Sequence, residues 1–96
     1  MLIRDELESK REEILKLAGR YGASNLRLFG SVARGDDNDN SDVDILLLLE
    51  PGRSLLDHAA LKIELETLLG RPVDIATEKG LKPKFRDRIL REAIPL

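Results

Sequence analysis

Apolar residues near the start of the chain recur at a helical spacing. Ile3, Leu7, Ile14, Leu17 and Ala18 share one face, with charged residues between them. The pattern predicts an amphipathic helix that stops at Gly22, a residue able to end it in the left-handed conformation. The period then changes. Leu26 to Phe29 is a short apolar segment bounded by Gly30 and predicts a strand. Ser31 to Arg34 predicts a brief helix stopped by Gly35, and Asp36 to Ser41 (DDNDNS) a polar loop. Val43 to Leu49 is apolar at nearly every position, the pattern of a central strand covered on both faces. Pro51-Gly52 marks a turn. Ser54 and Asp57 form a candidate capping box for a helix to about Leu69, with Leu56, Ala59, Ala60 and Ile63 on one face. Gly70 and Pro72 close it. Pro72 to Ala76 predicts a third strand, and Pro83 the first turn of a last helix that Pro95 ends. The order α-β-α-β-α-β-α places the chain in the α/β class.

Composition narrows the picture. With 96 residues and no repeat, low-complexity tract or linker, residues 1–96 are expected to form one domain. The net charge of −2 does not mark a nucleic-acid or membrane binder, and an aromatic content of 3% argues against a stacking platform for single strands. There is no cysteine, so no disulfide framework and no thiolate metal site. The N-terminal segment lacks the apolar stretch of a signal peptide, and the run from Ile45 to Leu49 is far too short to span a bilayer. A cytoplasmic location is the expectation.

The candidate chemistry lies in Gly30-Ser31, ten residues, then Asp42-Val43-Asp44. Glycine lets backbone approach a bulky ligand, and a helix opening at Ser31 offers free N–H groups and a hydroxyl to an anion such as a phosphate chain. A Gly-Ser pair alone is an ordinary strand-to-helix turn. The carboxylates add to it. Residues two apart on a strand point to one face, so Asp42 and Asp44 repel each other unless a cation lies between them. Magnesium fits, because it takes carboxylates together with phosphate oxygens. A solvated loop end accounts for Asp36, Asp37 and Asp39 but not for Asp44, which lies inside an apolar run. A calcium loop started at Asp37 would need glycine at position 42 and glutamate at position 48, where the chain has Asp42 and Leu48. Asp74, between Val73 and Ile75, joins the pair if the third strand lies beside the second. Three carboxylates can hold two metals about 3.5–4 Å apart for an in-line displacement at phosphorus, and Asp74 can accept the proton of the attacking hydroxyl. If the first two strands are antiparallel, Gly30-Ser31 and the acids face one cleft, with the Arg34 to Ser41 loop arching over it.

Phe29-Gly30-Ser31, the ten-residue spacer and Asp42-Val43-Asp44 resemble the signature of the DNA polymerase β-like nucleotidyltransferase superfamily. The fuller string GSVARG…SDVDILLLLE is similar to the minimal nucleotidyltransferases of prokaryotes, over nearly the whole chain from Leu26 to about Leu90. The resemblance implies a small mixed β-sheet flanked by helices. It implies transfer of a nucleoside monophosphate to a hydroxyl, with ATP as substrate and Mg2+ as cofactor. It also implies an antitoxin that transfers AMP to a tyrosine of a HEPN-type toxin. Carried over residue by residue, Gly30, Ser31 and, more weakly, Arg34 contact the triphosphate, and Asp42, Asp44 and Asp74 hold metal. Larger relatives carry an acceptor-binding domain, so here the acceptor is expected on a partner or on a second copy. Two other readings stay open: a binding module that neutralises its partner by occlusion, and transfer to a small molecule of the aminoglycoside kind.

The remaining features have plainer readings. Lys79, Lys82, Lys84, Arg86, Arg88 and Arg91 are a docking candidate, but a solvated helix face partly balanced by Asp87 and Glu92 explains most of them. His58, the only histidine, has no ligand partners near it in sequence and is expected to be structural. Tyr21 and Phe85 are expected as core contacts.

Overall fold

The computed structural model describes residues 2–96. In chain order it contains α1 (Ile3–Ser9), α2 (Arg11–Arg20), β1 (Ala23–Phe29), α3 (Gly30–Arg34), β2 (Val43–Leu49), α4 (Leu55–Leu69), β3 (Val73–Thr77), a 3-10 turn (Glu78–Gly80), α5 (Pro83–Glu92) and β4 (Ile94–Pro95). One four-stranded sheet has the order β3-β2-β1-β4. β1 pairs antiparallel with both β2 and β4, and β2 pairs parallel with β3, so the sheet is mixed as expected. β2 is central: Val43, Ile45, Leu46 and Leu47 are fully buried, in agreement with its unbroken apolar run. Among the described residues no helix is long and apolar enough to cross a membrane.

Five features depart from the sequence reading. The single N-terminal helix is two, separated at Lys10, whose backbone lies at φ −109° and ψ 13°. The Ser9 hydroxyl donates to the Glu6 carbonyl at 2.7 Å, a local bond that competes with helix continuation. Lys10 then donates to the Leu68 carbonyl at 3.0 Å and so ties the break to the end of α4. β1 begins at Ala23, three residues before the predicted start, because a bulge between Ser24 and Arg27 carries Asn25 at φ +53°.

The third departure concerns α4. Its capping box is present: Ser54 Oγ accepts from Leu56 N, and Asp57 Oδ2 accepts from Ser54 N at 3.0 Å. The residues it buries are Leu61, Leu65 and Leu69, whereas Leu56 is 81% and Ile63 62% exposed. α4 is apolar almost all round, so spacing alone does not single out one face. The fourth departure is at the C-terminus. α5 ends at Glu92, and Pro95 lies in β4, where Ile94 pairs with Leu28 and Leu96 N donates to the Leu26 carbonyl at 3.1 Å. Phe85 is also not a core residue: it is 39% exposed, with Lys84 and Arg88 against its ring. Tyr21 does pack against the core.

Candidate active site

The sheet brings one end of three strands together. Phe29, the last residue of β1, pairs with Asp44 of β2, and Asp44 pairs with Asp74 of β3. Phe29, Asp44 and Asp74 therefore form a row across the sheet. Gly30 follows Phe29 directly and opens α3, with Phe29 extended at the N-cap and contributing no side-chain cap. The first N–H groups of α3 are thus left without a side-chain acceptor, beside the row of acids.

Gly30 is required by two features at once. Its φ of +73° lies in the left-handed region. A Cβ there would run into Asp44 Oδ2 and come within 3.0 Å of Asp44 Cγ. The turn and the carboxylate are therefore packed against each other, with room for hydrogen alone at the Gly30 Cα. Gly35 ends α3 in the left-handed conformation at φ +80°, the expected stop.

β3 is held by α4. Lys62 Nζ donates to the Val73 carbonyl at 2.6 Å, and Glu66 Oε2 accepts from Val73 N at 3.0 Å. Those two bonds fix both backbone groups of the residue before Asp74. The hydrogen bond from Val73, with that from Lys62, holds the Glu66 carboxyl below its ordinary range. Val43 N donates to the Pro72 carbonyl at 3.0 Å, which closes the junction between β2 and β3.

The electrostatics follow from this placement. Burial, then the neighbouring Asp74 and Asp42 carboxylates, push the Asp44 carboxyl up to about 6, while Arg34 works in the opposite direction. Asp42 is exposed and lies just before β2, and Asp74 is exposed on β3. All three expected acids are thus gathered at one end of the sheet, with Asp44 in the middle. Among the described residues no three His, Cys, Asp or Glu side chains converge into a ready-made metal cage. The donor set still fits Mg2+: it is all oxygen, two of its members face each other on paired strands, and Asp44 carries the cost of like charge that a cation would relieve.

The other expected residues fall as follows. Ser31 stands at the start of α3, half-buried. Arg34 ends α3 and is held between two carboxylates, with Nη1 donating to Glu92 at 2.7 Å and Nε to Asp36 at 3.2 Å. The loop after Arg34 meets the segment that leads into β3, where Arg71 donates to the Asp39 carbonyl at 3.4 Å. A cavity of about 310 Å³ lies between Asp39–Ser41 and Gly70–Pro72, the segments that lead into Asp42 and into β3. Glu92, expected as a counter-charge on a solvated helix, is instead largely buried and bonded to Arg34. Its arrival at the site depends on β4, for which a two-residue strand left no pattern.

Comparison with known proteins agrees with this fold. A solved structure of a predicted minimal nucleotidyltransferase superposes with a TM-score of 0.88 at 53% identity, over 100% of this chain and 97% of that one. The protein adenylyltransferase MntA of Thermococcus cleftensis is 38% identical over 99 residues, covering 98% of this chain and 96% of its own. A toxin–antitoxin crystallised with AMP-PNP shares the fold, with a TM-score of 0.75 at 22% identity over 88% of this chain and 69% of that one. Residues 4–96 match the nucleotidyltransferase domain. The chain belongs to that family, and it is an enzyme, a nucleotidyltransferase of the minimal kind.

Proposed function

We propose that residues 1–96 form one catalytic domain that transfers AMP from ATP to a hydroxyl, in the first instance a tyrosine, on a HEPN-type toxin, and thereby silences it. The observation that supports the reading is the row Phe29–Asp44–Asp74 with Gly30 packed on Asp44, because it brings the uncapped start of α3 beside paired carboxylates. The names of the relatives support a protein acceptor. MntA of Thermococcus cleftensis is a protein adenylyltransferase, and a neighbour in fold is a toxin–antitoxin with AMP-PNP.

In this reading the Gly30 and Ser31 N–H groups and the Ser31 hydroxyl orient the triphosphate. Asp42, Asp44 and Asp74 would hold Mg2+. When bound, Mg2+ neutralises charge on the phosphates and lowers the pKa of a coordinated hydroxyl. The acceptor oxygen attacks the α-phosphorus as the bond to the bridging oxygen of pyrophosphate breaks, and pyrophosphate leaves with that electron pair. Asp74, the exposed outer member of the row, takes the hydroxyl proton.

The test is incubation with labelled ATP, Mg2+ and the protein encoded by the neighbouring gene. The expected result is one labelled partner tyrosine, and none with Asp42→Asn/Asp44→Asn. No label on a partner that demonstrably binds sinks the proposal. A double variant that still neutralises the partner at equal concentration favours occlusion over catalysis.

A further inference from the structure

We infer that Glu92 is a positioning residue for the nucleotide, setting the Arg34 guanidinium so that its remaining N–H groups meet the triphosphate. This rests on the nucleotide reading above. Glu92 lies 58 positions from Arg34 in sequence, yet its Oε1 accepts from Arg34 Nη1 at 2.7 Å. The two ends of this pair differ in exposure: the Glu92 side chain is 16% exposed and that of Arg34 47%. The carboxylate is therefore the fixed member and the guanidinium the accessible one.

The fold explains why Glu92 is fixed. It is the last residue of α5, where Ala93 N donates to the Ile89 carbonyl at 2.9 Å. Two residues later Ile94 pairs with Leu28, one residue before the Phe29 that opposes Asp44. Helix end and strand pairing thus hold Glu92 from both sides, at the end of the sheet where the acids are gathered.

Asp36 completes the arrangement by accepting from Arg34 Nε at 3.2 Å. Guanidinium carries five N–H donors, so these two bonds leave three to offer, in a plane whose rotation the bond to the largely buried Glu92 carboxylate restrains. Such a fork matches phosphate oxygens. Arg34 belongs to the five-residue helix that Gly30 and Ser31 begin, one turn further along it. A triphosphate held at Gly30-Ser31 therefore comes within reach of it. Glu92 itself need touch no part of the nucleotide.

Titration calorimetry of the full chain with AMP-PNP and Mg2+ tests this without needing the acceptor. Glu92→Ala is expected to weaken Kd about tenfold, and Arg34→Ala by a similar factor. Glu92→Gln keeps an oxygen that accepts from Nη1 and is expected to stay within about threefold of the parent. Glu92→Asp keeps the charge but is one methylene short, and is expected to behave like Glu92→Ala; it serves where alanine unfolds the chain. In an Arg34→Ala background the Glu92 variants are expected to add nothing, because the two residues act as one unit. An unchanged Kd in Glu92→Ala and Glu92→Asp overturns the inference. So does tighter binding, which would make Glu92 a restraint on Arg34, and so does an effect that persists without Arg34. A parent chain that binds no AMP-PNP overturns the nucleotide reading and this inference with it.

Discussion

At the scale of single residues, Gly30 and Asp44 form a pair in which each constrains the other. Gly30→Ala must place a methyl group against the Asp44 carboxylate and hold a left-handed backbone at φ +73°. The backbone alone costs about 1–2 kcal/mol. The expected outcome is a melting temperature lowered by roughly 4–8 °C or more and AMP transfer reduced at least about 100-fold. Activity near the parent level would show that the turn does not align the phosphates. Asp44 itself stands at about 6 against an ordinary value of 3.8, through burial and then Asp74 and Asp42. An acid raised in this way binds its proton more tightly in the folded chain than in the unfolded one. It therefore costs stability above pH 6, progressively less as the pH falls, and nothing below about 4. Allowing for its partial exposure, the cost is about 1 kcal/mol. Asp44→Asn is thus expected to be inactive yet more stable than the parent at pH 7.5 in EDTA, with the advantage gone at pH 4. Denaturant titration at both values checks it. An advantage that does not shrink with acid would locate the cause outside the carboxylate.

At the scale of elements, α4 offers the sharpest contrast. Leu61 is fully buried and Ile63 is 62% exposed, two residues along the same helix. Leu61→Ala is expected to cost about 2–5 kcal/mol and Ile63→Ala less than about 0.5 kcal/mol, read by denaturant unfolding. Comparable losses at both would mean that the outer face of α4 is covered in solution. The same helix shows where sequence patterning stops being informative. Leu55, Leu56, Ala59, Ala60, Leu61, Ile63, Leu65, Leu68 and Leu69 surround its axis, so the choice of buried face is made by the sheet it lies on. β2 was legible because a strand covered on both faces needs an unbroken apolar run. β4 was not, because two residues carry no period and Pro95 reads as a helix stop. The break at Lys10 goes with a local hydroxyl bond from Ser9 and a distant one from Lys10 to Leu68, neither of which leaves a periodic signal. The site divides along the same line. Gly30, Ser31, Asp42 and Asp44 were readable because a local turn and strand set them, and Asp74 needed only the pairing of β3 with β2. Glu92 needed β4, and with β4 unpredicted nothing in the sequence brought it to Arg34.

At the scale of the whole molecule, the site is also a junction. Gly30 and Ser31 belong to α3 after β1, Asp44 to β2 and Asp74 to β3, and β3 is held to α4 through Lys62 and Glu66. A ligand that bridges these groups ties together elements from Gly30 to Asp74, and it does so where three carboxylates otherwise repel. Ligand binding to the folded state should therefore register as global stability. At a free AMP-PNP concentration about 100 times Kd, with Mg2+ in excess, mass action predicts about 2.7 kcal/mol, or a rise in melting temperature of roughly 13 °C for a chain of this size. The two components are expected to depend on each other. Mg2+ alone should give a small rise, by easing the charge around Asp44. AMP-PNP in EDTA should give little, because unscreened phosphates meet unscreened carboxylates. Asp42→Asn/Asp44→Asn should lose the cooperative part and retain only what the Gly30-Ser31 turn supplies. Differential scanning fluorimetry across the four conditions reads all of this. A full rise with AMP-PNP in EDTA would separate nucleotide binding from the acids and place it away from the row of Phe29, Asp44 and Asp74.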